Sequence, residues 1–272
     1  MTPSSSIKLD RGIHVQHLFY RIDRGRWASL PADASPQVRV RLEALCAAHA
    51  APSHPRITSY ANVGGKADLA FILYAADLTL LGRMHHALEA CFPAGVLQKV
   101  YSYLSVTELT DYMPTAEETR LNLLQQDNLQ VDTPEFEQKL AEAAKRREEY
   151  EQYRLYPELP DWEIMCFYPM NKRRVGGDNW YLLDFTTRKR LMGGHARVGR
   201  KYSGRVSQLI TGSTGIDDWE WGVTLVAHQL DALKEIVYEM RFDEVSARYG
   251  DFGEFYVNLR MQPPALWEHL GL

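Results

Sequence analysis

Scarce cysteine, the lack of a long apolar run and the lack of a basic leader each exclude a class of protein. Cys46, Cys91 and Cys166 are the three cysteines among 272 residues. An odd, scattered set fits buried reduced thiols better than a disulfide framework or a metal knuckle, so we expect no structural zinc. No stretch approaches about 18 uninterrupted apolar residues, and MTPSSSIKLD lacks the pattern of a signal peptide. We therefore expect a cytoplasmic protein without a membrane span.

Charge is modest overall but unevenly distributed. The formal net charge is −4. Residues 172–205 nevertheless hold only two acidic residues, Asp178 and Asp184, against ten cations: Lys172, Arg173, Arg174, Arg188, Lys189, Arg190, Arg197, Arg200, Lys201 and Arg205. This asymmetry favours a local anionic ligand over a globally basic nucleic-acid binder, and the alternative is a solvated basic face.

The order of predicted elements repeats once along the chain. The first half reads strand, helix, strand pair, helix and strand, in IHVQHLFYRI, SPQVRVRLEALCAAHA, ITSYANVGGKADLAFILYAA, LTLLGRMHHALEACF and VYSYLSVTEL. The second half repeats that order in EIMCFYPM, TTRKRLMGGHARVGRKY, VSQLITGSTGIDDWEWGVTLVA, LDALKEIVYEMRF and GEFYVNLRM. Two successive β-α-β-β-α-β units predict an α+β fold, in which two ferredoxin-like halves with antiparallel sheets form a dimeric α+β barrel.

A charged connector separates the halves. We assign residues 1–112 to the N-terminal half, 113–160 to the connector and 161–272 to the C-terminal half. Thr133 as N-cap and Pro134 at the first helical position predict a helix through FEQKLAEAAKRREEYEQY. Its apolar stripe is narrow, so we expect a surface helix packed along one edge, with a coiled-coil partner as the alternative.

His195 is the most informative of the nine histidines. Helical spacing puts it on one face with Val198 and Tyr202. A histidine on an apolar helical face is more often a satisfied core residue than a metal ligand. Gly193 and Gly194, however, each cost about 1 kcal/mol relative to alanine inside a helix, which suggests that something broad approaches this face. A flat macrocycle with an axial imidazole ligand meets that description.

Several uncommon segments occur in a characteristic order. They are CFYPMNKRR, NWYLLDFTTRKRLMGGHARVGRKYSGRVSQLITGSTGIDDWEWGVTL and VYEMRFDEVSARYGDFGEF, with GGKADLAF and YSYLSVTEL as weaker matches in the first half. Together they resemble the chlorite dismutase superfamily, and specifically its coproheme decarboxylases of the Gram-positive type. The connector helix resembles an insertion in that pattern.

The resemblance implies roles for three residues. By position, His195 corresponds to the axial iron ligand and Tyr168 to the tyrosine that becomes a radical. Gln208 falls where true chlorite dismutases have an arginine. Because a neutral amide cannot supply the charge that retains hypochlorite over the iron, Gln208 argues against chlorite chemistry.

The resemblance also implies a set of groups around the propionates of Fe-coproporphyrin III (coproheme). Its members are Arg154, Met170, Lys172, Arg241 and Ser246. Coproheme has four propionates, two more than haem b, so its pocket needs cations and hydrogen-bond donors to offset desolvation of the carboxylates. The alternatives are a helix C-terminal charge for Arg241, a local cap for Ser246 and solvated surface for Lys172.

The activity that the resemblance implies is oxidative decarboxylation of coproheme by hydrogen peroxide. A radical on Tyr168 abstracts hydrogen from a propionate, and two rounds, at propionates 2 and 4, give haem b through a three-propionate intermediate. Coproheme is then both substrate and redox centre. A homopentamer and a transient contact with the coproporphyrin ferrochelatase are also implied. The alternatives are a chlorite dismutase or haem peroxidase, and a non-catalytic coproheme carrier or sensor.

Overall fold

Strands rich in β-branched and aromatic residues form the centre of the computed structural model, which describes residues 6–125, 127 and 129–272. In chain order they are β1 (His14–Ile22), β2 (Arg56–Asn62), β3 (Leu69–Ala75), β4 (Leu97–Thr107), β5 (Ile164–Lys172), β6 (Arg174–Val175), β7 (Asp178–Asn179), β8 (Val206–Gly212), β9 (Trp221–Ala227), β10 (Gly250–Phe252) and β11 (Tyr256–Arg260). The principal sheet is antiparallel, with neighbours in the order β10-β5-β11-β2-β3-β1-β4-β8-β9. Because β9 also pairs with β5, the sheet closes into a barrel.

Helices cover the outside of this barrel. They are α1 (Arg24–Ala28), α2 (Ala34–Ala48), α3 (Leu78–Glu89), α4 (Ala116–Gln125), α5 (Pro134–Leu155), α6 (Phe185–Arg200), α7 (Leu230–Met240), α8 (Glu244–Tyr249) and α9 (Pro263–Leu270). Within the described residues, no helix is both long and apolar enough to cross a membrane.

The barrel consists of two similar sheets joined edge to edge. In the N-terminal half the strand order is β2-β3-β1-β4, and in the C-terminal half it is β11-β5-β9-β8, which is the ferredoxin-like order in both. The halves meet where β2 pairs with β11 and where β4 pairs with β8. The predicted α+β class and its two ferredoxin-like halves are therefore confirmed.

Apolar side chains lie in separate layers on the two sides of the barrel wall. Phe19, Phe167 and Tyr256 belong to the cluster inside the barrel. A second cluster lies between the outer wall of the N-terminal half and helices α2, α3 and α9, and it includes Leu42 and Leu81. A third lies between the outer wall of the C-terminal half and helix α7. It includes Tyr168, Tyr202, Val206, Leu233 and Ile236.

The connector forms the predicted surface helix, α5. Thr133 is its N-cap, and the backbone N–H of Phe136 donates to the Thr133 hydroxyl at 3.3 Å. Phe136 and Leu155 are buried near its two ends, while most of the residues between them are exposed. The helix packs against α4, so its neighbour is a helix of the same chain.

Candidate functional site

The outer wall of the C-terminal half brings the predicted residues of two strands, β5 and β8, onto one face. Phe167 and Leu209 point into the barrel, so Tyr168 and Gln208 point outward, because side chains alternate along a strand. The register places Tyr168 of β5 opposite Val223 of β9, and β9 in turn pairs with β8, the strand of Gln208. Tyr168 and Gln208 thus share one surface, although they are 40 residues apart in sequence.

Tyr168 is a buried phenol inside an aromatic stack. It is 5% exposed, and its ring centroid lies 4.3 Å from that of Phe255 and 6.0 Å from that of Phe252. Burial raises the pKa of the phenol well above its ordinary value, Cys166 adds to the increase and the Arg241 charge opposes it. Tyr168 is therefore a neutral phenol with an O–H bond at neutral pH.

A pocket lies beside this stack. It has a volume of about 590 Å³, and its lining includes Arg173, Arg241 and Ser246 together with the two phenylalanines that flank Tyr168. The Arg241 guanidinium carbon is 3.7 Å from the centroid of the Phe252 ring. The lining also includes the carboxylate of Asp251, so the pocket gathers two cations, one anion, one hydroxyl and the two rings that flank Tyr168. The excess of positive charge suits carboxylates. Arg173 joins the predicted set here, since the sequence had shown it only as part of a basic run.

His195 is oriented by a carboxylate that sequence analysis missed. Its Nδ1 lies 3.0 Å from Oδ2 of Asp243, the N-cap of α8. A neutral imidazole that donates from Nδ1 keeps the lone pair of Nε2 available, as in metal-bound histidines that are held by a second carboxylate. The RFDE sequence predicts a helix cap at Asp243, but nothing local predicts its contact with a histidine 48 residues away.

Asp243 also links His195 to the pocket. Its Oδ1 accepts from the backbone N–H groups of Val245 and Ser246, and its Oδ2 accepts from the Ser246 hydroxyl at 3.0 Å. Burial raises the pKa of the Asp243 carboxyl, but the hydrogen bond from His195 and those from Ser246 help to outweigh burial, so this pKa is lowered. Ser246 thus takes part in a local cap and also lines the pocket.

The glycines of α6 leave space near His195. A Cβ added to Gly193 or Gly194 would meet nothing within 4 Å. One turn after His195, a Cβ at Gly199 would approach Met240 at 3.3 Å and Gln208 Nε2 at 3.4 Å. The open helix face, the His195 Nε2 without a hydrogen bond in the described part of the chain, and the pocket with its two arginines fit a flat, carboxylate-bearing macrocycle bound through its iron.

Lys172 is buried rather than solvated, so the surface alternative for it was wrong. It is 9% exposed, with its Nζ 4.8 Å from the Trp180 ring centroid. Burial lowers its pKa to about 8, although the charges of Asp243 and Glu220 oppose the shift. Lys172 thus lies in a charged cluster with Asp243 and outside the lining of the pocket. Its contact with a propionate stays a prediction.

Arg154 and Met170 lie at different edges of this surface. Arg154 Nη2 donates to the carbonyls of Ile210 and Glu108 at 3.2 and 3.3 Å, whereas its Nε is buried and has no hydrogen-bond partner among the described residues. Arg154 therefore sits at the junction of β4 and β8, and it is not among the residues that line the pocket with Arg241 and Ser246. Met170 is half-buried and pairs with Trp221 on one side and Phe252 on the other. It lies next to the aromatic stack, and its contact with a propionate stays a prediction.

Comparison with known proteins agrees with this arrangement. The sequence profile of the chlorite dismutase family, described as "Chlorite dismutase", matches residues 38–261. The chain belongs to the chlorite dismutase family. A haem-binding protein from Thermus thermophilus is 38% identical, with a TM-score of 0.78 and coverage of 100% of this chain and 99% of that one.

Other solved structures of chlorite dismutases share the fold at lower identity. A double mutant of the enzyme from Candidatus Nitrospira defluvii is 17% identical, with a TM-score of 0.70 and coverage of 97% of this chain and 98% of that one. The imidazole complex of the same enzyme is 17% identical, with a TM-score of 0.69 and 97% coverage of both chains. At this identity the likeness concerns the fold alone.

Proposed function

We propose that this member of the chlorite dismutase family is a coproheme decarboxylase. It would convert propionates 2 and 4 of Fe-coproporphyrin III to vinyl groups with hydrogen peroxide, and so form haem b through a three-propionate intermediate. The observation that carries the proposal is the buried phenol of Tyr168, which shares its aromatic neighbours Phe252 and Phe255 with a pocket lined by Arg173 and Arg241. An oxidisable O–H beside a carboxylate-binding cavity is what the reaction needs.

Each round balances with one molecule of peroxide. A propionate, one proton and one hydrogen peroxide give a vinyl group, carbon dioxide and two molecules of water. The bound substrate's iron supplies the reaction with peroxide and accepts the electrons that the propionate loses. The chain's own residues therefore need only to bind, orient and carry one hydrogen atom.

Tyr168 carries that hydrogen atom. Its O–H gives up an electron and a proton, and the resulting phenoxyl radical takes hydrogen from the β-carbon of a propionate, which restores the O–H. Loss of a further electron and of carbon dioxide leaves the vinyl group. Because Tyr168 is buried among Phe252 and Phe255, its radical is shielded from water, and packing fixes its ring relative to the pocket.

His195 and the pocket cations bind and orient the substrate. His195 presents Nε2 because its Nδ1 proton is engaged by Asp243. Arg241 and Arg173 offer guanidinium groups, which bind carboxylates in a planar, two-pronged manner. Two decarboxylations at the same phenol require that the three-propionate product turn or shift in the pocket between rounds.

The neutral side chain at Gln208 favours this activity over chlorite dismutation. Gln208 lies on the same outer face as Tyr168 but brings no positive charge over the ligand. A peroxidase would need the iron ligand but not a phenol beside a propionate pocket, and a carrier or sensor would need the cations but not Tyr168. A homopentamer, a cytoplasmic location and a transient contact with the coproporphyrin ferrochelatase are parts of the same proposal.

Titration of the coproheme-loaded protein with peroxide tests the proposal. Mass spectrometry of the extracted porphyrin should show two successive losses, each of one carbon dioxide and two hydrogens. Bleaching without either loss would favour the peroxidase, and an unchanged porphyrin would favour the carrier. Rapid, sustained oxygen release from chlorite would favour the dismutase. Any of these three results would overturn the decarboxylase assignment.

A further inference from the structure

The last turn of the connector helix α5 contacts one of the two junctions between the halves, the one between β4 and β8. At this seam β4 and β8 pair at the register positions Val106 with Gly212 and Thr107 with Thr211. The part of β8 that bears Gln208 extends beyond these pairs. A strand edge without a partner strand leaves its backbone carbonyls to be satisfied in another way.

Side chains of α5 take the place of that missing strand. Tyr153 Oη donates to the carbonyl of Gln208 at 2.9 Å, and Arg154 Nη2 donates to the carbonyl of Ile210 at 3.2 Å. Arg154 also reaches the carbonyl of Glu108 just after β4, so one side chain bridges both strands at the seam. These hydrogen bonds hold the backbone of Gln208 and that of Ile210, the next residue of β8 on the same face.

Two further contacts fix the end of the helix itself. The Thr107 hydroxyl donates to the carbonyl of Leu155 at 2.8 Å, and the backbone N–H of Gly12 donates to Tyr156 Oη at 3.3 Å. Leu155 is buried, at 4% exposed. The turn that presents Tyr153 and Arg154 to β8 is therefore itself anchored to β4 and to the approach to β1.

We infer that Tyr153 and Arg154 are positioning residues that hold the Gln208 side chain in place over the ligand. Gln208 Nε2 already lies near Gly199 of α6, the helix that bears His195, so a small shift of β8 changes where this amide points. The inference gives the connector helix a role in the site. It rests on the proposed function in one respect, namely that Gln208 faces the iron-bound ligand.

Tyr153→Phe is the test variant, and Tyr150→Phe is its matched control. The two tyrosines lie on the same helix and are similarly exposed, at 47% and 38%. In the described part of the chain Tyr150 makes no hydrogen bond, so its hydroxyl can be removed without loss of such a bond. Phenylalanine keeps the ring in each case, so both variants should fold.

The first measurement uses the protein without coproheme. Hydrogen–deuterium exchange across residues 206–210 should become roughly fivefold faster in Tyr153→Phe, as expected for one lost hydrogen bond, and should not change in Tyr150→Phe. Equal exchange in both variants would contradict the inference whatever reaction the protein catalyses.

The second measurement uses fluoride as a probe of the ferric coproheme complex, because iron-bound fluoride accepts hydrogen bonds from nearby donors. Fluoride affinity, followed by absorbance, should fall roughly five- to tenfold in Tyr153→Phe and also in Gln208→Leu. The double variant should bind fluoride no more weakly than Gln208→Leu alone, since both changes remove the same donor.

Additive losses in the double variant would show that Tyr153 acts by another route and would overturn the inference. Normal fluoride binding by Tyr153→Phe would do the same. Neither result depends on decarboxylation, so a protein that binds coproheme without converting it would refute the proposed function and still test the role of Tyr153. If no coproheme binds, the exchange measurement alone decides.

Discussion

The two halves share one strand order, but their outer walls are covered differently. On the N-terminal half, Leu42, Leu81 and Trp267 from three different helices fill the space over the sheet with apolar side chains. On the C-terminal half, apolar residues of α7 belong to the same cluster as Tyr168, and the wall opens into a pocket whose lining includes Arg173 and Arg241. The wall of the N-terminal half is therefore closed by apolar packing, while the wall of the C-terminal half has a candidate ligand site in place of part of that packing.

A pair of buried phenols shows the same difference. Tyr20 lies on the outer wall of β1, and its hydroxyl donates to Glu89 at 3.0 Å within the apolar cluster. Tyr168 lies on the outer wall of β5, where it has no hydrogen-bond partner among the described residues and faces the rings that line the pocket. Corresponding strands of one fold thus hold a structural tyrosine and a candidate radical site.

The largest expected effect distinguishes Tyr168 from Tyr20 by removal of each hydroxyl. Tyr168→Phe should bind coproheme with a near-normal ferric spectrum but lose decarboxylation almost completely, because phenylalanine has no O–H to give up. Mass spectrometry of the porphyrin after peroxide addition measures the loss. Tyr20→Phe is the control: it should lose about 1 kcal/mol of stability with its hydrogen bond and should keep decarboxylating. Vinyl formation by Tyr168→Phe at the wild-type rate would refute the radical role.

Truncation of an apolar side chain in the wall of the N-terminal half should lower stability and leave coproheme binding unchanged. Leu42 is fully buried, so Leu42→Ala should lower the free energy of unfolding by about 2–5 kcal/mol. Urea denaturation measures that change. The coproheme dissociation constant of the remaining folded protein should stay at the wild-type value. A marked loss of coproheme affinity would show that the two walls are not independent.

Asp243→Asn should weaken the C-terminal site without removing the helix cap. Asparagine keeps the shape and can cap α8, but it removes the negative charge that holds His195. Coproheme affinity should fall about 10- to 100-fold, as for other second carboxylates behind a metal-bound histidine. The iron–histidine stretching frequency of the ferrous complex should also fall, as resonance Raman would show. Asp184→Asn, which alters the cap of α6, should change neither quantity.

The buried cation of the C-terminal wall should appear in the pH dependence of stability. Burial lowers the pKa of Lys172 from 10.5 to about 8, so between these values the unfolded chain binds a proton that the folded chain has lost. The free energy of unfolding of the ligand-free protein therefore gains a contribution that rises with pH, by at most about 1.4 kcal/mol per pH unit.

Urea denaturation between pH 8 and 10.5 would measure this contribution. This pH-dependent contribution should be absent from Lys172→Met. It should be present in Lys145→Met, because the side chain of Lys145 is 78% exposed in the unmodified protein. Parallel curves for the wild type and Lys172→Met would indicate that Lys172 keeps its proton in the folded protein.

Several features of the site were predictable because their signals are local. The period of two along β5 and β8 and the helical spacing of α6 placed Tyr168, Gln208 and His195 on the correct kinds of element. The residues predicted to surround the propionates lie in different places in the structure. Arg241 and Ser246 line the pocket, whereas Lys172 and Arg154 lie in other surroundings. The boundaries after residues 112 and 160 remain predictions.

The sequence by itself determined the repeated strand order, the family and the residue types from which the site is built, because periodicity and motif order are properties of neighbouring residues. Only the tertiary structure decided which charges meet. The contact of Asp243 with His195 and that of Tyr153 with the backbone of Gln208 join residues 48 and 55 positions apart. Such pairs depend on how helices pack on the closed barrel, since one added or removed residue in a strand reverses which side chains face outward.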